Sequence, residues 1–322
     1  MELGVAVRIL AAETLTPQDL EAALRSFKPD VLHVHHAYKA GRLLWENNGL
    51  KEAVPFVVSP AGTDLDLDVR SRQRTRVIRH IVDRAKFLIV QSQEMGARLT
   101  ERLGQVSSKV VMVPKACAWF GDEPYDLRAK VKAGPRDVLF FLPAGIRPVK
   151  GNLEFLKKME KLQALRPNLK AVLAGPILVP SYGKKVLKEV ERLHTFACWI
   201  GSIPPEAMKD AYRGADVVVN SSFSEGLSNA IMEAVSQGRP ILASDVPGNR
   251  WPLMGSGDME PCAILYDPND PWDMVKKALV LMDDKDLRQR LSAACMAKAR
   301  QWPSPLEEAK QLASIYQECL SI

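Results

Sequence analysis

Residues 224–234 read Ser-Glu-Gly-Leu-Ser-Asn-Ala-Ile-Met-Glu-Ala and follow the strand-like run of residues 215–220. A strand, a glycine-bearing loop and an amphipathic helix in this order predict one βα unit of a parallel sheet. The first turn of such a helix binds phosphate, because its N–H groups lack partners and the helix dipole favours an anion. Glu225 and Glu233 bracket that position, although a carboxylate repels a bare phosphate. A ligand with hydroxyls on both sides of a diphosphate explains both glutamates, and a nucleotide-sugar is such a ligand.

The spacing of Glu225 and Glu233 resembles the signature of retaining glycosyltransferases of family 4, which have the GT-B fold. The context matches as well, with Asn220-Ser221-Ser222 upstream and a Gly-Arg-Pro segment followed by Pro-Gly within residues 238–248. In that family the first glutamate sits at the donor sugar and the second holds the ribose hydroxyls. The resemblance also places Asn220 at the border of the phosphate site. The resemblance further implies that backbone groups of Gly226, Leu227 and Ser228 face the diphosphate.

A second motif, Gly145-Ile146-Arg147-Pro148-Val149-Lys150, follows a strong predicted strand. It resembles the Gly-Arg…Lys-Gly element of the same family, in which both cations neutralise the donor diphosphate. Arg147 and Lys150 fit that chemistry, because positioned cations stabilise the charge that builds on a departing diphosphate. By the same resemblance, the base is read by backbone groups of the loop that contains Gly201 and Ile203.

Composition excludes several classes of protein. With 322 residues the chain is expected to form about two domains, and its net charge of +6 is moderate. No apolar run approaches the ~18 residues of a membrane span, and the amino end does not resemble a signal peptide. The five cysteines are scattered without a Cys-x-x-Cys pair, which is typical of reduced thiols in a cytoplasmic protein.

Apolar runs alternate with helical patterns throughout, which predicts an α/β protein. We expect the GT-B architecture, two Rossmann-like domains whose parallel sheets face a cleft. The predicted domains are an acceptor-side domain (1–133), a nucleotide-sugar-binding domain (134–302) and a last helix (303–322) that packs back on the first domain. Residues 118–135, rich in Gly and Pro, are predicted to be the linker.

The predicted strands and helices follow from the same alternation. In the first domain the expected strands are 4–10, 31–34, 56–59, 87–91 and 110–114, with helices at 17–27 and 70–85. In the second domain the expected strands are 137–142, 170–174, 198–201, 216–220, 240–243 and 263–265. The strand at 4–10 resembles the family's second strand, so the first domain is expected to lack its first βα unit and the glycine-rich loop that this unit carries.

The segment Gly62-Thr63-Asp64 follows a predicted strand, where α/β sheets bind ligands. Family members often read His-Gly-x-Asp here, and this chain has Ala61 in place of the histidine. Asp64 is therefore a candidate for binding acceptor hydroxyls or accepting a proton, and the alternative role is a helix N-cap. The alternation of Asp64, Asp66 and Asp68 with leucine predicts extended structure with one wet face, and we expect no metal site.

Histidines 33, 35 and 36 cluster at the end of another predicted strand. Alternation in a strand places His33 and His35 on one face, and no zinc-ligand partner lies at the required spacing. His35 or His36 is an acceptor-side candidate by the family resemblance, and His33 is expected to pack in the core.

Seven basic residues crowd the segment from Arg70 to Lys86, opposed only by Asp83. A solvated helix face is the plainer interpretation. The alternative is peripheral contact with an anionic membrane at its inner, cytoplasmic face. Nucleic acid is not expected as a partner, because no aromatic side chains interleave the arginines.

The sequence therefore predicts a metal-independent, retaining glycosyltransferase without a cofactor. It would move a sugar from a nucleotide-diphosphate-sugar to a glycan, a lipid-linked acceptor or a small molecule. Two alternatives stay open. One is a non-catalytic nucleotide-sugar-binding protein, suggested by Ala61 and the missing βα unit, and the other is a sugar-nucleotide epimerase of the same fold.

Overall fold

The computed structural model describes residues 3–47, 54–253 and 261–321. Its contacts divide the chain into two compact units. The first comprises Met1–Ala116 together with Pro303–Ile322, and the second is Cys117–Trp302. Each unit is built around its own parallel sheet covered by helices, which confirms the α/β class and the two parallel sheets predicted above.

The first unit contains a four-stranded parallel sheet in the order β1-β2-β3-β4. Its strands are β1 (Leu32–His35), β2 (Phe56–Ser59), β3 (Phe87–Val90) and β4 (Val110–Met112). Its helices are α1 (Pro17–Phe27), α2 (Gly41–Glu46), α3 (Gly62–Asp66), α4 (Arg72–Arg84), α5 (Gln93–Leu103) and α14 (Pro305–Ser321). Helix α14 buries Ile315 and Cys319 against Val57 and Ile89 of the sheet, so the end of the chain is part of this unit's core.

Capping residues and apolar periodicity explain where these helices lie. At α1 the Thr16 hydroxyl accepts from the Asp19 N–H while the Asp19 carboxylate accepts from the Thr16 N–H, a capping box. Helix α4 buries Val77, Ile78, Ile81 and Val82 along one stripe. Ser71 caps its first turn, so the basic helix begins at Arg72 and not at residue 70.

The second unit contains a six-stranded parallel sheet in the order β10-β9-β8-β5-β6-β7. Its strands are β5 (Val138–Pro143), β6 (Leu169–Ala174), β7 (Ala197–Trp199), β8 (Val217–Asn220), β9 (Ile241–Ser244) and β10 (Ala263–Tyr266). Its helices are α6 (Leu127–Lys130), α7 (Asn152–Leu165), α8 (Pro180–Arg192), α9 (Met208–Arg213), α10 (Asn229–Ser236), α11 (Pro247–Leu253), α12 (Asp273–Asp283) and α13 (Lys285–Ala299).

Strand β5 shows why this sheet is buried on both faces. Phe140 and Leu142 pack in one apolar cluster, and Leu139 and Phe141 pack in the cluster on the other face. A continuous apolar run is what a strand covered by helices on both sides requires. The chain runs outward from β5 to β7 and then returns to place β8 beside β5. The order of strands therefore reverses between β5 and β8, where α/β sheets bind ligands at the carboxyl ends of their strands.

Three predictions about local structure are wrong. Residues 5–10 form no strand, and Val7 and Ile9 are 72% and 90% exposed. The segment pairs with no strand in the described part of the chain, although Leu10 at its end packs against the core of the first unit. The segment with Asp64 and Asp66 is helical and not extended, because α3 begins at Gly62 with the Asp64 carboxylate bonded to the N–H of Ala61.

The third wrong prediction concerns the linker between the two domains. Residues 117–133 lie in the second unit, so the division falls after Ala116 and not after residue 133. The physical reason is apolar burial: Leu127 is fully buried in that unit's core, and Trp119 and Tyr125 pack beside it. Tyr125 also donates its N–H to the Asp210 carboxylate at 2.7 Å. A glycine- and proline-rich composition marks irregular backbone, but it does not show that the segment is unpacked.

Candidate active site

The loop before α10 is shaped by a network of buried polar side chains. Ser228 caps α10, since its hydroxyl accepts from the Ile231 N–H, and it also accepts from Asn220 Nδ2 at 2.9 Å. Asn220 Oδ1 in turn accepts from the Ser222 N–H. These hydrogen bonds connect the end of β8 to the first turn of α10 and so support the loop that carries Glu225.

Glu225 is almost fully buried, and its Oε1 accepts three hydrogen bonds. The donors are Lys150 Nζ at 2.5 Å, Ser222 Oγ at 2.7 Å and Asn220 Nδ2 at 3.2 Å. The structure thus brings Lys150 and Glu225 into an ion pair across 75 residues of sequence. The sequence predicted both residues for the donor site, but their direct contact was not predicted.

The loop with the two cations lies against the end of β8. Its turn Pro148–Lys150 ends at Gly151, which has φ 63°, and a Cβ there would lie 2.2 Å from the Ser221 carbonyl oxygen. Only glycine fits such a close approach in a left-handed conformation. Ser221 Oγ donates to the Lys150 carbonyl oxygen at 2.7 Å, which fixes the loop further. Arg147 Nε is buried without a hydrogen-bond partner in the described part of the chain.

Glu233 lies one turn into α10, and its Oε2 accepts from the Tyr212 hydroxyl at 2.7 Å. Tyr212 is fully buried, and burial followed by the nearby Glu233 charge raises its pKa well above the usual value. The phenol therefore stays protonated and orients the carboxylate. The sequence analysis missed Tyr212, since one tyrosine on the apolar face of α9 carries no signal of a polar role.

A cavity of ≈220 Å³ opens beside Glu233. Gly145, Ser202, Ile203 and Tyr212 contribute to its wall. Gly201, with φ 76°, shapes the same loop and accepts from the Gly175 N–H. Residues predicted from three separate motifs thus meet at the carboxyl edge of one sheet.

A larger and more open cavity of ≈500 Å³ lies nearby, lined by Lys130, Lys132, Trp199 and Gly201. It contains neither of the two glutamates nor the Arg147 loop. We place the candidate site at the smaller cavity, because Glu233, Gly145 and Ile203 line it. The Lys150–Glu225 ion pair is not part of its wall and lies against Asn220 at the end of β8.

Asp64 lies in the first unit and is fully buried, with Oδ2 accepting from the N–H groups of Ala61 and Ala37. Asp64 is therefore not the N-cap of α3, which is Ala61; it is the third residue of the helix, and its carboxylate bonds back to the N–H of the N-cap residue. The neighbouring carboxylates are engaged separately, Asp66 with Arg98 and Asp68 with Arg74. Within residues 3–47, 54–253 and 261–321, no group of three or more His, Cys, Asp or Glu side chains could hold a metal ion.

His33 packs as expected. Its ring nitrogens are each hydrogen-bonded at 2.7 Å, Nδ1 to the Tyr316 hydroxyl and Nε2 to Ser59 Oγ. Burial, followed by the charge of His35, lowers its pKa to about 3, so the ring is neutral at pH 7. The rings of His33 and His35 stack with centroids 4.0 Å apart, which agrees with their predicted position on one face of β1.

Known proteins resemble the chain over almost its whole length. HepE from Anabaena, solved in complex with UDP-glucose, superposes with a TM-score of 0.78 at 16% identity, covering 93% of this chain and 81% of HepE. Among sequence relatives, glycosyltransferase 1 domain-containing protein 1 of Xenopus tropicalis is 26% identical over 286 residues, 87% of this chain and 79% of that protein. The D-inositol 3-phosphate glycosyltransferase of Streptomyces scabiei is 28% identical over 333 residues, 92% of this chain and 73% of that enzyme.

The two sheets and this likeness define an α/β protein of the GT-B class. The family model for glycosyl transferases group 1 matches residues 126–297, and the model for a glycosyl transferase 4-like domain matches residues 3–116. Because the first model covers more than half of the chain, the protein belongs to the group 1 glycosyltransferases, which use nucleotide sugars. The family resemblance deduced from the two glutamates is confirmed.

Proposed function

We propose that the protein transfers a sugar from a UDP-sugar to an acceptor, with retention of configuration and without a metal ion. The observation that carries the proposal is the convergence of Glu225, Lys150 and Glu233 at the carboxyl edge of the second sheet. The likeness to HepE, whose structure holds UDP-glucose, supports uracil as the base. In this proposal the second unit binds the donor and the first unit binds the acceptor.

Each side chain has a role that its surroundings support. Glu233, oriented by Tyr212, holds the ribose hydroxyls, while backbone groups of Gly201 and Ile203 read the base. Arg147 and Lys150 stabilise the diphosphate as its bond to the sugar breaks, because fixed cations act most strongly where charge develops. Glu225 orients the donor sugar. The departing diphosphate helps to remove the acceptor proton, so that attack occurs on the same face.

The backbone around α10 completes the donor site. The amino end of the helix points its first N–H groups toward the site, and Gly226, Leu227 and Ser228 form the loop that faces the diphosphate. Asn220 and Gly145 border the same position from the ends of β8 and β5. No cofactor is required, because the nucleotide-sugar itself supplies the activated group.

UDP tests the donor site directly. At about 100 times its dissociation constant, a ligand stabilises the folded state by about 2.7 kcal/mol. We expect UDP to raise the melting temperature of the protein and Glu233→Ala to abolish the shift, because the ribose hydroxyls lose their acceptor. Glu206→Ala, an exposed glutamate of the same unit, serves as the control and keeps the shift. A cooperatively folding wild type that responds to no nucleotide diphosphate rules the proposal out.

A non-catalytic nucleotide-sugar-binding protein is the second candidate. Ala61 stands where family members often have a histidine, and the buried Asp64 does not face solvent. This candidate predicts the same UDP stabilisation but no release of UDP from UDP-sugars, and that difference separates the two.

We also propose that this cytoplasmic protein touches an anionic membrane peripherally through α4. Arg72, Arg76 and Arg79 are exposed on this helix, whereas Arg74 is held by Asp68. No described helix is long and apolar enough to cross a membrane. Each arginine near an anionic surface contributes about 1 kcal/mol to the free energy of binding.

We expect the protein to co-sediment with phosphatidylserine vesicles and not with phosphatidylcholine vesicles. The variant in which Arg72, Arg76 and Arg79 are all replaced by Gln should lose this co-sedimentation. Equal sedimentation of wild type and variant contradicts the contact.

A further inference from the structure

Helix α7 begins directly after the loop that carries Arg147 and Lys150, and its N-cap residue has no side chain. That residue is Gly151, so its own position supplies no acceptor for the first N–H groups of α7. Serine, threonine, asparagine or aspartate supplies this acceptor at most helices. Such a residue is excluded here, because a Cβ at Gly151 would lie 2.2 Å from the Ser221 carbonyl oxygen. The close approach that fixes the loop against β8 therefore leaves the start of α7 without a local cap.

Tyr182 supplies the missing acceptor from the neighbouring helix α8. Its hydroxyl oxygen accepts from the Leu153 N–H, in the first turn of α7, at 3.1 Å. Burial raises the pKa of Tyr182 against the opposing effect of the Leu153 N–H, and the nearby charge of Glu154 raises it as well. The phenol therefore stays protonated at pH 7 and caps α7 from outside the helix.

The backbone that carries Tyr182 is tied to the start of the same loop. Ile146 forms a parallel bridge with Ile177, just before α8. The Ile146 N–H donates to the Pro176 carbonyl oxygen at 2.8 Å, and the Ile146 carbonyl oxygen accepts from the Leu178 N–H at 3.1 Å. The segment before α8 thus holds the residue that precedes Arg147, while Tyr182 holds the helix that follows Lys150.

The first turn of α7 is connected to both cations. Asn152, the first residue of the helix, is fully buried, and its Oδ1 accepts from the Arg147 N–H at 3.2 Å. Lys150 is joined to Asn152 through Gly151 alone, and the Lys150 N–H donates to the Arg147 carbonyl oxygen at 3.0 Å. A change in the direction of this turn therefore moves Arg147 and Lys150 together.

We propose that Tyr182 is a positioning residue for the donor diphosphate, whose hydroxyl holds the first turn of α7 and thereby places Arg147 and Lys150. The inference rests on the proposed function, and in it Tyr182 touches neither the donor nor the acceptor. Because the phenol occupies the amino end of α7, the diphosphate binds at the amino end of α10 alone. No covalent step is added to the reaction.

The substitution Tyr182→Phe removes the hydroxyl and keeps the ring. With UDP-glucose as the donor probe, we expect kcat for UDP release to fall about tenfold while KM changes less than twofold. The reason is that fixed cations act most strongly on the charge that develops in the transition state.

Asp284→Ala is the matched control, because it removes a helix cap in the same unit without touching the loop of the two cations. The Asp284 carboxylate caps α13 by accepting from the Leu287 N–H at 2.7 Å. We expect this variant to lower the melting temperature about as much as Tyr182→Phe does and to keep kcat within twofold of the wild type. A role in stability alone would lower kcat equally in both variants.

A double variant tests whether Tyr182 acts through the cations. In the Lys150→Met background, the loop has already lost one of the two groups that Tyr182 positions. We expect Lys150→Met/Tyr182→Phe to release UDP no more than about twofold more slowly than Lys150→Met, since both substitutions act on one interaction.

Amide hydrogen exchange provides a readout that needs no donor. Tyr182→Phe should speed exchange of the Leu153 amide and of residues 147–152 by about tenfold, because the first turn of α7 opens more often. It should leave the Leu287 amide of α13 unchanged. Asp284→Ala should have the opposite pattern.

Four results overturn the inference. They are wild-type kcat in Tyr182→Phe, an equal loss of kcat in Asp284→Ala, a further tenfold loss in the double variant, and unchanged amide exchange in residues 147–153 of Tyr182→Phe. If the wild type releases no UDP from UDP-glucose, the proposed function fails separately. Hydrogen exchange then still decides whether the Tyr182 hydroxyl holds the loop.

Discussion

Lys150→Met is expected to lower the rate of sugar transfer by about 10²–10³-fold, as removal of one preorganised charge-stabilising donor does in other enzymes. The ammonium group is held 2.5 Å from Glu225 Oε1 by a loop that Gly151 and Ser221 fix in place. It therefore needs little rearrangement before the diphosphate departs. The measurement is kcat for UDP release, with Lys188→Met, an exposed lysine on α8, as the matched control.

The same substitution affects stability, and a second variant separates the two effects. Lys150→Met leaves the buried Glu225 without its cation, at a cost of about 2 kcal/mol in the free energy of unfolding. The double variant Lys150→Met/Glu225→Gln removes both charges, so we expect much of that stability to return while transfer stays slow. Wild-type kcat in a stably folded Lys150→Met protein would show that another group stabilises the leaving diphosphate.

Gly248→Ala is expected to reduce donor binding strongly and to destabilise the second unit by about 3 kcal/mol, the upper part of the usual range for overpacking. A Cβ at this position would lie 2.2 Å from the Glu225 carbonyl oxygen and 2.6 Å from that of Gly226. Neither neighbour is a flexible side chain, so the Glu225 loop itself must move. The displaced loop would no longer present Glu225 to the sugar or its backbone to the diphosphate.

Urea unfolding and UDP titration measure the two consequences of Gly248→Ala. Gly134→Ala is the control, because an added Cβ there meets only the Asp137 carboxylate at 3.4 Å. We expect the control to bind UDP as the wild type does. If Gly248→Ala also binds UDP normally, the loop of residues 225–228 does not contact the diphosphate as proposed.

Much of the fold could be read from apolar patterning alone. Helix α1 and strand β2 have the predicted bounds, and the remaining predicted strands, apart from residues 4–10, lie within about three residues of their predicted limits. Strands buried on both faces carry this signal strongly, because each of their residues must be apolar. The segment of residues 4–10 is also mostly apolar but has no partner strand in the described part of the chain. Hydrogen bonds to a neighbour decide whether such a segment becomes a strand.

The sequence by itself determined the α/β class and the family, because the apolar runs and the glutamate-bearing loop that carry them are local patterns. Tertiary structure alone decided three things: the Lys150–Glu225 contact, the orientation of Glu233 by Tyr212, and the burial of Asp64. Each depends on which residues the packing of distant segments brings together. A local pattern states what a side chain can do, whereas its desolvation and its partners, which set what it does, come from the folded chain.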